Sequence, residues 1–180
     1  MAFRDLREFV DGAEALGEVQ RLEGAHWDLE IGCITEIVAE QEGPMLLFDA
    51  VTGYPRGFRV AANPLGTAKR FALALGLPTD LSKMEILQGW REKNRTMRPY
   101  PPEEVKDGPL MENVDEGGKV DLGKFPAPKW HELDGGRYIG TADMVVMKDP
   151  RSDWVNIGTY RASIVDEKRL TLWILAHHHG

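Results

Sequence analysis

The sequence predicts an α+β protein, with an N-terminal α/β domain over residues 1–105 and an antiparallel β domain over residues 106–180. Three observations support this prediction. In the first half of the chain, apolar residues recur at three- and four-residue spacing, as in amphipathic helices. Prolines and glycines then become frequent between Arg98 and Pro128, where helical periodicity ends. The remaining apolar runs are short and rich in β-branched residues, which is typical of antiparallel strands.

Four helices are predicted in the N-terminal domain. The helical spacing covers residues 3–16, 28–41, 67–75 and 83–94. Gly17 stands where a glycine would end the first helix. Ser82 and Glu85 have the spacing of a capping box, in which each side chain bonds the backbone N–H of the other residue. Cys33 lies in the apolar pattern of the second helix, so we expect this thiol in the core.

Strands are predicted where short apolar runs are bounded by turn residues. In the N-terminal domain these runs are residues 45–48 and 58–61, and in the C-terminal domain they are 143–148, 154–165 and 170–176. The segments between the last three runs are short and polar, so an antiparallel meander is the simplest arrangement. Three strands alone leave exposed edges, and we therefore expect this second domain to be incomplete.

The composition excludes several classes of protein. A hydrophobic content of 42% excludes intrinsic disorder, and a formal charge of −7 argues against non-specific binding of nucleic acid. Charged residues occupy positions 4, 5, 7 and 8, where a signal peptide needs an apolar stretch. No run approaches the roughly 20 apolar residues of a membrane span. We therefore expect a cytoplasmic protein that binds neither nucleic acid nor membranes.

The residues with the clearest chemical potential lie between Trp154 and Gly180. Asn156, Arg161 and His179 bring an amide oxygen, a permanent cation and an imidazole to two strands that are expected to pair. Amide oxygen and imidazole nitrogen both bind Mn²⁺- or Mg²⁺-like ions, although these ions usually require a carboxylate too. The two ligand types alone are weak evidence for a metal site.

Each of these residues also has an ordinary interpretation. Asn156, close to Gly158, is of a type common in turns and bulges. Arg161 is compatible with a solvated strand position. The histidines at 177–179 are compatible with surface residues that have no functional role, or with the remnant of an affinity tag.

The spacing of Asn156 and Arg161 raises a geometric question. Side chains alternate along a regular strand, so residues five positions apart point to opposite faces. Both could face one ligand only if the strand bends between them. Gly158 is the residue that would permit a bulge, and we predict one there.

Short motifs along the whole chain resemble the UbiD-type decarboxylases, in order and with matching spacing. In the C-terminal half they are GRYIGT at 136–141, WVNIGTYR at 154–161 and LAHHHG at 175–180. Upstream they are DLREF at 5–9, DLEI at 28–31, GPMLLF at 43–48, NPLGT at 63–67 and ALALGL at 72–77. Several short matches in sequence are more specific than any one of them.

The resemblance implies reversible, non-oxidative decarboxylation of an aromatic or α,β-unsaturated carboxylic acid with prenylated FMN. Family members bind this flavin on a split β-barrel, so residues 106–180 would form an incomplete flavin-binding split-barrel domain. The flavin phosphate is held through a divalent metal, usually Mn²⁺, with a monovalent cation such as K⁺ nearby. By position, Asn156 and His179 match metal-binding residues of the family, and Arg161 matches the arginine that faces the substrate carboxylate.

The same resemblance implies a set of cofactor-binding residues, namely Asn156, Thr159, Tyr160, Arg161, Trp173, Ile174, Leu175, His178 and His179. Arg161 is the residue we expect to be catalytic, since a guanidinium can bind a carboxylate through two parallel hydrogen bonds. The flavin would act as the electron sink.

The chain departs from the family's pattern in one respect. The family's metal-binding glutamate and its proton-donating acid lie beyond the matched segments, while Asp166 and Glu167 fall in a predicted turn. We therefore expect an N-terminal part that is inactive alone. One alternative is a non-catalytic flavin- or partner-binding module completed by another chain. A purely structural or interaction protein is the other. The resemblance also implies homo-oligomers, a small carboxylic acid as substrate, and a flavin prenyltransferase as cofactor supplier.

Overall fold

The computed structural model describes residues 3–98, 101, 105–108 and 111–177. In chain order, the elements are α1 (Leu6–Ala15), β1 (Val19–Glu23), α2 (Glu30–Glu40), β2 (Met45–Asp49), β3 (Val60–Ala62), α3 (Ala68–Leu75), α4 (Lys83–Thr96), β4 (Arg137–Lys148), β5 (Val155–Ile164) and β6 (Leu170–Trp173). Short 3₁₀ turns occupy Gly117–Lys119 and Leu122–Lys124. The strands form two three-stranded sheets, of order β1-β2-β3 and β4-β5-β6. The predicted α+β class is confirmed.

The chain divides into two compact units whose segments alternate along the sequence. Unit 1 contains residues 1–22, 35–47 and 61–114, and unit 2 contains residues 23–34, 48–60 and 115–180. The domain boundary near residue 105 stays a prediction. No helix within the described residues is both long and apolar enough to cross a membrane.

The helix termini follow the expected capping chemistry. Asp5 caps α1 by accepting a hydrogen bond from the Glu8 N–H, and Gly17 beyond this helix has a φ of 71°. At α4, the Ser82 and Glu85 side chains form the complete capping box. Each cap satisfies backbone donors that the helix itself leaves unpaired. The four predicted helices are confirmed to within a few residues.

The core of unit 1 lies where α1 packs on β2. Phe9, Val10, Met45 and Leu47 form one buried cluster. All but the last residue of β2 are buried, as expected for a continuous apolar run. The strand predicted at residues 58–61 is found at Val60–Ala62. The strand β1 was not predicted, because only Val19 and Leu22 in it are partly buried and its sequence has no regular alternation.

Arg70 is a buried cation at the centre of unit 1, with a fully buried side chain. Its guanidinium donates to Glu18 Oε2 at 2.7 Å and to the Gly43 carbonyl at 3.0 Å. It also donates to the carbonyls of Asn63 and Pro64 at 3.3 and 3.2 Å. A charge removed from water is tolerated only when it is paired and its donors are satisfied. The single side chain therefore joins three loops of unit 1 to the start of α3.

The prediction for Cys33 is wrong, because its side chain is exposed. The buried residues of α2 are Ile31 and Gly32. Successive helix residues are turned by about 100°, so the next position along the chain already faces outward. The helix itself is predicted correctly. The burial of Cys33 is not, because the buried stripe of α2 is narrow.

The second sheet is the predicted antiparallel meander. β4 pairs with β5, and β5 pairs with β6. β4 begins at Arg137, earlier than the predicted residue 143, and β6 ends at Trp173, short of the predicted residue 176. Two register shifts lie toward the start of β4, between Tyr138 and Asp143.

The start of β4 is fixed by the Arg137 side chain. Its guanidinium carbon lies 4.0 Å from the centre of the Trp27 ring, which is the geometry of a cation–π contact. Its N–H groups donate to the Ala127 carbonyl at 2.7 Å and to the Tyr54 hydroxyl. The arginine of the GRYIGT motif is therefore a structural residue of unit 2.

We predict that Arg70→Met lowers the free energy of unfolding by about 3–5 kcal/mol, because Glu18 would lose the buried partner that balances it. Urea unfolding followed by circular dichroism measures this change. Lys83→Met is the matched control, since Lys83 forms an exposed ion pair with Glu42 and should change stability little. Equal effects of the two substitutions would contradict the central role of Arg70.

Candidate functional site

The strand β5 carries most of the predicted site residues, and they alternate between its two faces. Asn156, Gly158 and Tyr160 lie on the more buried face, whereas Thr159 and Arg161 lie on the exposed face. Asn156 and Arg161 therefore point to opposite sides of the sheet, as they must in a regular strand.

The predicted bulge at Gly158 is wrong. Pairing of β5 with β4 continues without a shift from the pair Lys148 and Val155 to the pair Asp143 and Tyr160. Beyond Tyr160, the register shifts place the extra residues in β4 rather than in β5. The sequence showed that a regular strand would separate Asn156 from Arg161, and the structure retains that separation.

The glycine at 158 has a different structural reason. A Cβ atom at this position would lie 2.6 Å from a ring carbon of Tyr160. The Tyr160 ring therefore lies along the strand, over the glycine. Any larger residue would have to displace this ring, which is only 8% exposed.

Gly158 thereby allows Tyr160 to reach Asn156. The Asn156 amide nitrogen donates to the Tyr160 hydroxyl at 3.4 Å, four positions along the strand. With the nitrogen engaged, Asn156 Oδ1 is the atom left for a ligand on this face. An amide oxygen is a suitable ligand for a hard divalent cation.

On the exposed face, Arg161 lies over the indole ring of Trp173 in β6. The two residues are direct partners in the β5–β6 register, and the guanidinium carbon lies 4.7 Å from the indole centre. Within the described part of the chain, no hydrogen bond or ion pair engages the Arg161 guanidinium. Its N–H groups therefore remain available to an anion.

Apolar side chains continue this exposed face away from Arg161. Met144, Val146 and Ile157 are 73%, 60% and 62% exposed. Val146 and Ile157 are direct register partners, and Met144 is opposite Thr159. A cation beside an apolar surface is the arrangement that an amphipathic anion, such as an aromatic carboxylate, would fit.

The two faces of β5 meet at an edge that β6 leaves open. β6 pairs only with residues 161–164 of β5 and ends at Trp173. Among the strands that the structure describes, none pairs with residues 155–160 on this side. Ile174 and Leu175 follow directly, and the chain turns at Ala176 and His177. A ligand at this open edge could reach both faces of the strand.

The remaining predicted residues divide between these regions. Thr159 and Trp173 lie with Arg161 on the exposed face. Ile174 is half-buried and Leu175 is exposed, just beyond the end of β6. The histidines 178 and 179 lie outside the described residues. Within residues 3–98, 101, 105–108 and 111–177, no three His, Cys, Asp or Glu side chains are grouped as a metal site.

Two carboxylates of the second sheet and its turns differ in environment. Asp166 accepts hydrogen bonds from the Arg169 side chain and from backbone N–H groups in the β5–β6 turn, and these contacts lower the pKa of its carboxyl. Asp143, opposite Tyr160 in the register, is half-buried, and burial raises the pKa of this carboxyl. Asp143 lies inside β4, because this strand begins at Arg137 rather than at the predicted residue 143.

Comparison with known proteins gives this geometry a family context. Residues 10–90 match the 3-octaprenyl-4-hydroxybenzoate carboxy-lyase N-terminal domain, and residues 103–180 match the Rift-related domain of the same UbiD carboxy-lyase. The chain is 35% identical over 174 residues to the pyrrole-2-carboxylic acid decarboxylase of Pseudomonas aeruginosa, which covers 92% of this chain. The chain belongs to the UbiD family.

Solved UbiD-class structures share the fold. The vanillic acid decarboxylase of Sedimentibacter hydroxybenzoicus in closed form has a TM-score of 0.87 at 30% identity, with 98% of this chain covered. An evolved dimeric form of HmfF from Pelotomaculum thermopropionicum, in complex with prFMN, has a TM-score of 0.80 at 26% identity over 98% of this chain. The chain spans 38% and 39% of these two structures, and 35% of the Pseudomonas relative.

We predict that Gly158→Ala lowers the free energy of unfolding by about 1–3 kcal/mol, because the added methyl group overlaps the Tyr160 ring. Urea unfolding of the single variants and of the double variant with Tyr160→Ala forms a double-mutant cycle. In the Tyr160→Ala background the alanine at 158 should cost much less. An equal cost in both backgrounds would mean that the ring does not require the glycine.

We predict that Asp143→Asn stabilises the protein more at neutral pH than in acid. Because burial raises the pKa of Asp143, the folded state binds this proton more tightly than the unfolded state. Stability is therefore lost as the pH rises from the ordinary carboxyl pKa through the raised one, and an uncharged asparagine avoids that loss. Urea unfolding at about pH 3 and about pH 7 measures the difference.

Asp153→Asn is the control for this comparison, since the Asp153 side chain is 100% exposed in the β4–β5 hairpin. A gain for Asp143→Asn that is the same at both pH values would contradict the effect of burial.

Proposed function

We propose that the chain provides part of an enzyme that reversibly decarboxylates an aromatic or α,β-unsaturated carboxylic acid with prenylated FMN. The observation that carries this proposal is Arg161, an exposed, stacked guanidinium with available N–H groups beside an apolar face. Family membership supports the reaction class, since the Pseudomonas relative is named as a decarboxylase of pyrrole-2-carboxylic acid.

Arg161 is the proposed catalytic residue. Its guanidinium would bind the substrate carboxylate through two parallel hydrogen bonds and hold the bond that breaks in one orientation. The apolar residues Met144, Val146 and Ile157 would contact the hydrocarbon part of the acid. Because the carboxylate leaves as CO₂, a partner with a fixed charge is better suited than one that must lose a proton.

Asn156 and His179 are the proposed ligands of a divalent metal, Mn²⁺ in the first instance, which would hold the flavin phosphate with K⁺ nearby. The Asn156 environment fits this role, because its nitrogen bonds Tyr160 and its oxygen is left for the cation. When bound, prenylated FMN would supply the electron sink for decarboxylation.

The open edge of β5 is the proposed position of the flavin. There, a ligand could reach Asn156 and Tyr160 on one face and Arg161, Thr159 and Trp173 on the other. The remaining proposed cofactor-binding residues follow β6 in the sequence, and these are Ile174, Leu175, His178 and His179. At this edge, a single ligand would contact residues on both faces of β5 although the strand is regular.

A non-catalytic module that binds flavin or a partner chain is the second candidate. The observation that favours it is the absence, among the described residues, of an acid paired with Arg161. Under the first proposal, this acid would come from polypeptide outside the matched 35% of the relative's length. We also propose a cytoplasmic homo-oligomer that receives its flavin from a flavin prenyltransferase.

The experiment that tests the proposed function uses the chain produced together with a flavin prenyltransferase. Its visible spectrum and the mass of its bound ligand report flavin loading. CO₂ release is then measured with pyrrole-2-carboxylate, vanillate, hydroxybenzoates and cinnamate, for the chain alone and after addition of the Pseudomonas segment that has no counterpart here. We expect turnover only with the added segment. Flavin binding without turnover would favour the second candidate, and no flavin binding would contradict both.

We predict that Arg161→Lys lowers turnover in the combined system by about 10²-fold while the flavin stays bound, because lysine keeps the charge but cannot hold the carboxylate in one plane. Arg169→Lys is the control, since Arg169 lies in the β5–β6 turn and pairs with Asp166. Equal turnover of the Arg161 and Arg169 variants would contradict the catalytic role of Arg161.

A further inference from the structure

We infer that Trp173 is a positioning residue, which holds the Arg161 guanidinium by its flat face and leaves the N–H edge directed to an anion. This inference rests on the proposed function for the identity of the anion, a planar carboxylate. The position of the arginine itself can be measured without any ligand.

The backbone register brings the two side chains together. Arg161 and Trp173 are direct partners where β5 and β6 pair, so their Cβ atoms leave the sheet side by side. The guanidinium carbon lies 4.7 Å from the indole centre. A guanidinium stacked on a ring uses its face in the contact, whereas its hydrogen-bond donors point outward in its own plane.

Arg137, in the same unit, is a structural arginine with which Arg161 can be compared. It also lies over an indole, that of Trp27 at 4.0 Å, yet its N–H groups bond the Ala127 carbonyl and the Tyr54 hydroxyl. Arg161 also lies over an indole, but no donor of its guanidinium has a partner within the residues that the structure describes. The N–H groups of Arg137 are bonded within the protein, whereas those of Arg161 are left for a ligand. This difference distinguishes a binding arginine from a structural one.

The position of Trp173 also restricts the ligand. The indole ring lies against the guanidinium, so an anion approaches Arg161 from the sides that the ring leaves open. A flat carboxylate can there accept two parallel hydrogen bonds. Thr159, two residues before Arg161 in β5, shares this exposed face and is paired with Met144, which is 73% exposed. An acid with an apolar body therefore has a surface to contact on the side away from the indole.

The test is a nuclear magnetic resonance measurement on the whole 180-residue chain. The Arg161 Hε resonance should be shifted upfield by the indole ring current in the wild type and in Trp173→Phe, and not in Trp173→Leu. Trp154→Leu is the control, because Trp154 is an exposed tryptophan of the same sheet's hairpin and should leave the Arg161 resonance in place.

Titration with pyrrole-2-carboxylate, followed at the same resonance, measures the effect on binding. We expect the Kd to rise roughly two- to fivefold in Trp173→Leu, the range expected for loss of an exposed cation–π contact. The Kd should change less in Trp173→Phe. Methanesulfonate, whose anionic group is tetrahedral, should bind more weakly than acetate, whose anionic group is planar.

The outcomes separate this inference from the proposed function. An Arg161 Hε position that is the same in the wild type and in Trp173→Leu would overturn the positioning role. A ring-current shift in the wild type with no response to pyrrole-2-carboxylate would support the positioning of Arg161 and contradict the proposed carboxylate role.

Discussion

The continuous pairing of β4 with β5 is the constraint on which the site depends. As long as every residue from Val155 to Tyr160 has a direct partner in β4, the side chains of β5 must alternate. The polar pair of Asn156 and Tyr160 is thereby committed to one face, and Arg161 to the other. Chemistry that uses both faces must take place at an edge of the strand rather than above the sheet.

Three arginines in this small protein show how burial decides the use of a guanidinium. Arg70 is fully buried, and four protein acceptors surround it. Arg137 is partly buried and combines an aromatic stack with protein acceptors. Arg161 is exposed and keeps only the stack among the residues described. As burial decreases, fewer donors are needed by the fold, and more remain for a ligand.

The local rules of helix formation were sufficient to predict much of the fold. The four helices, the buried strand β2 and the order of the second sheet followed from apolar spacing and capping residues, which are properties of neighbouring positions. The strand β1 and the exposure of Cys33 could not be predicted from local spacing. Both depend on which other parts of the fold pack against β1 and α2. The alternation of β5 was visible in the sequence, yet the glycine at 158 suggested a bend. Only the position of the Tyr160 ring explains that glycine.

The exposed position of Cys33 has a practical consequence. The sequence contains one cysteine, and its thiol lies on the surface of α2. A maleimide dye or spin label would therefore attach to each molecule at one known position, remote in sequence from β5. Since no second thiol exists within the chain, any disulfide between two copies formed in air must join their α2 helices. The protein is therefore best stored with a reductant, and that same thiol offers a single reporter position for distance measurements.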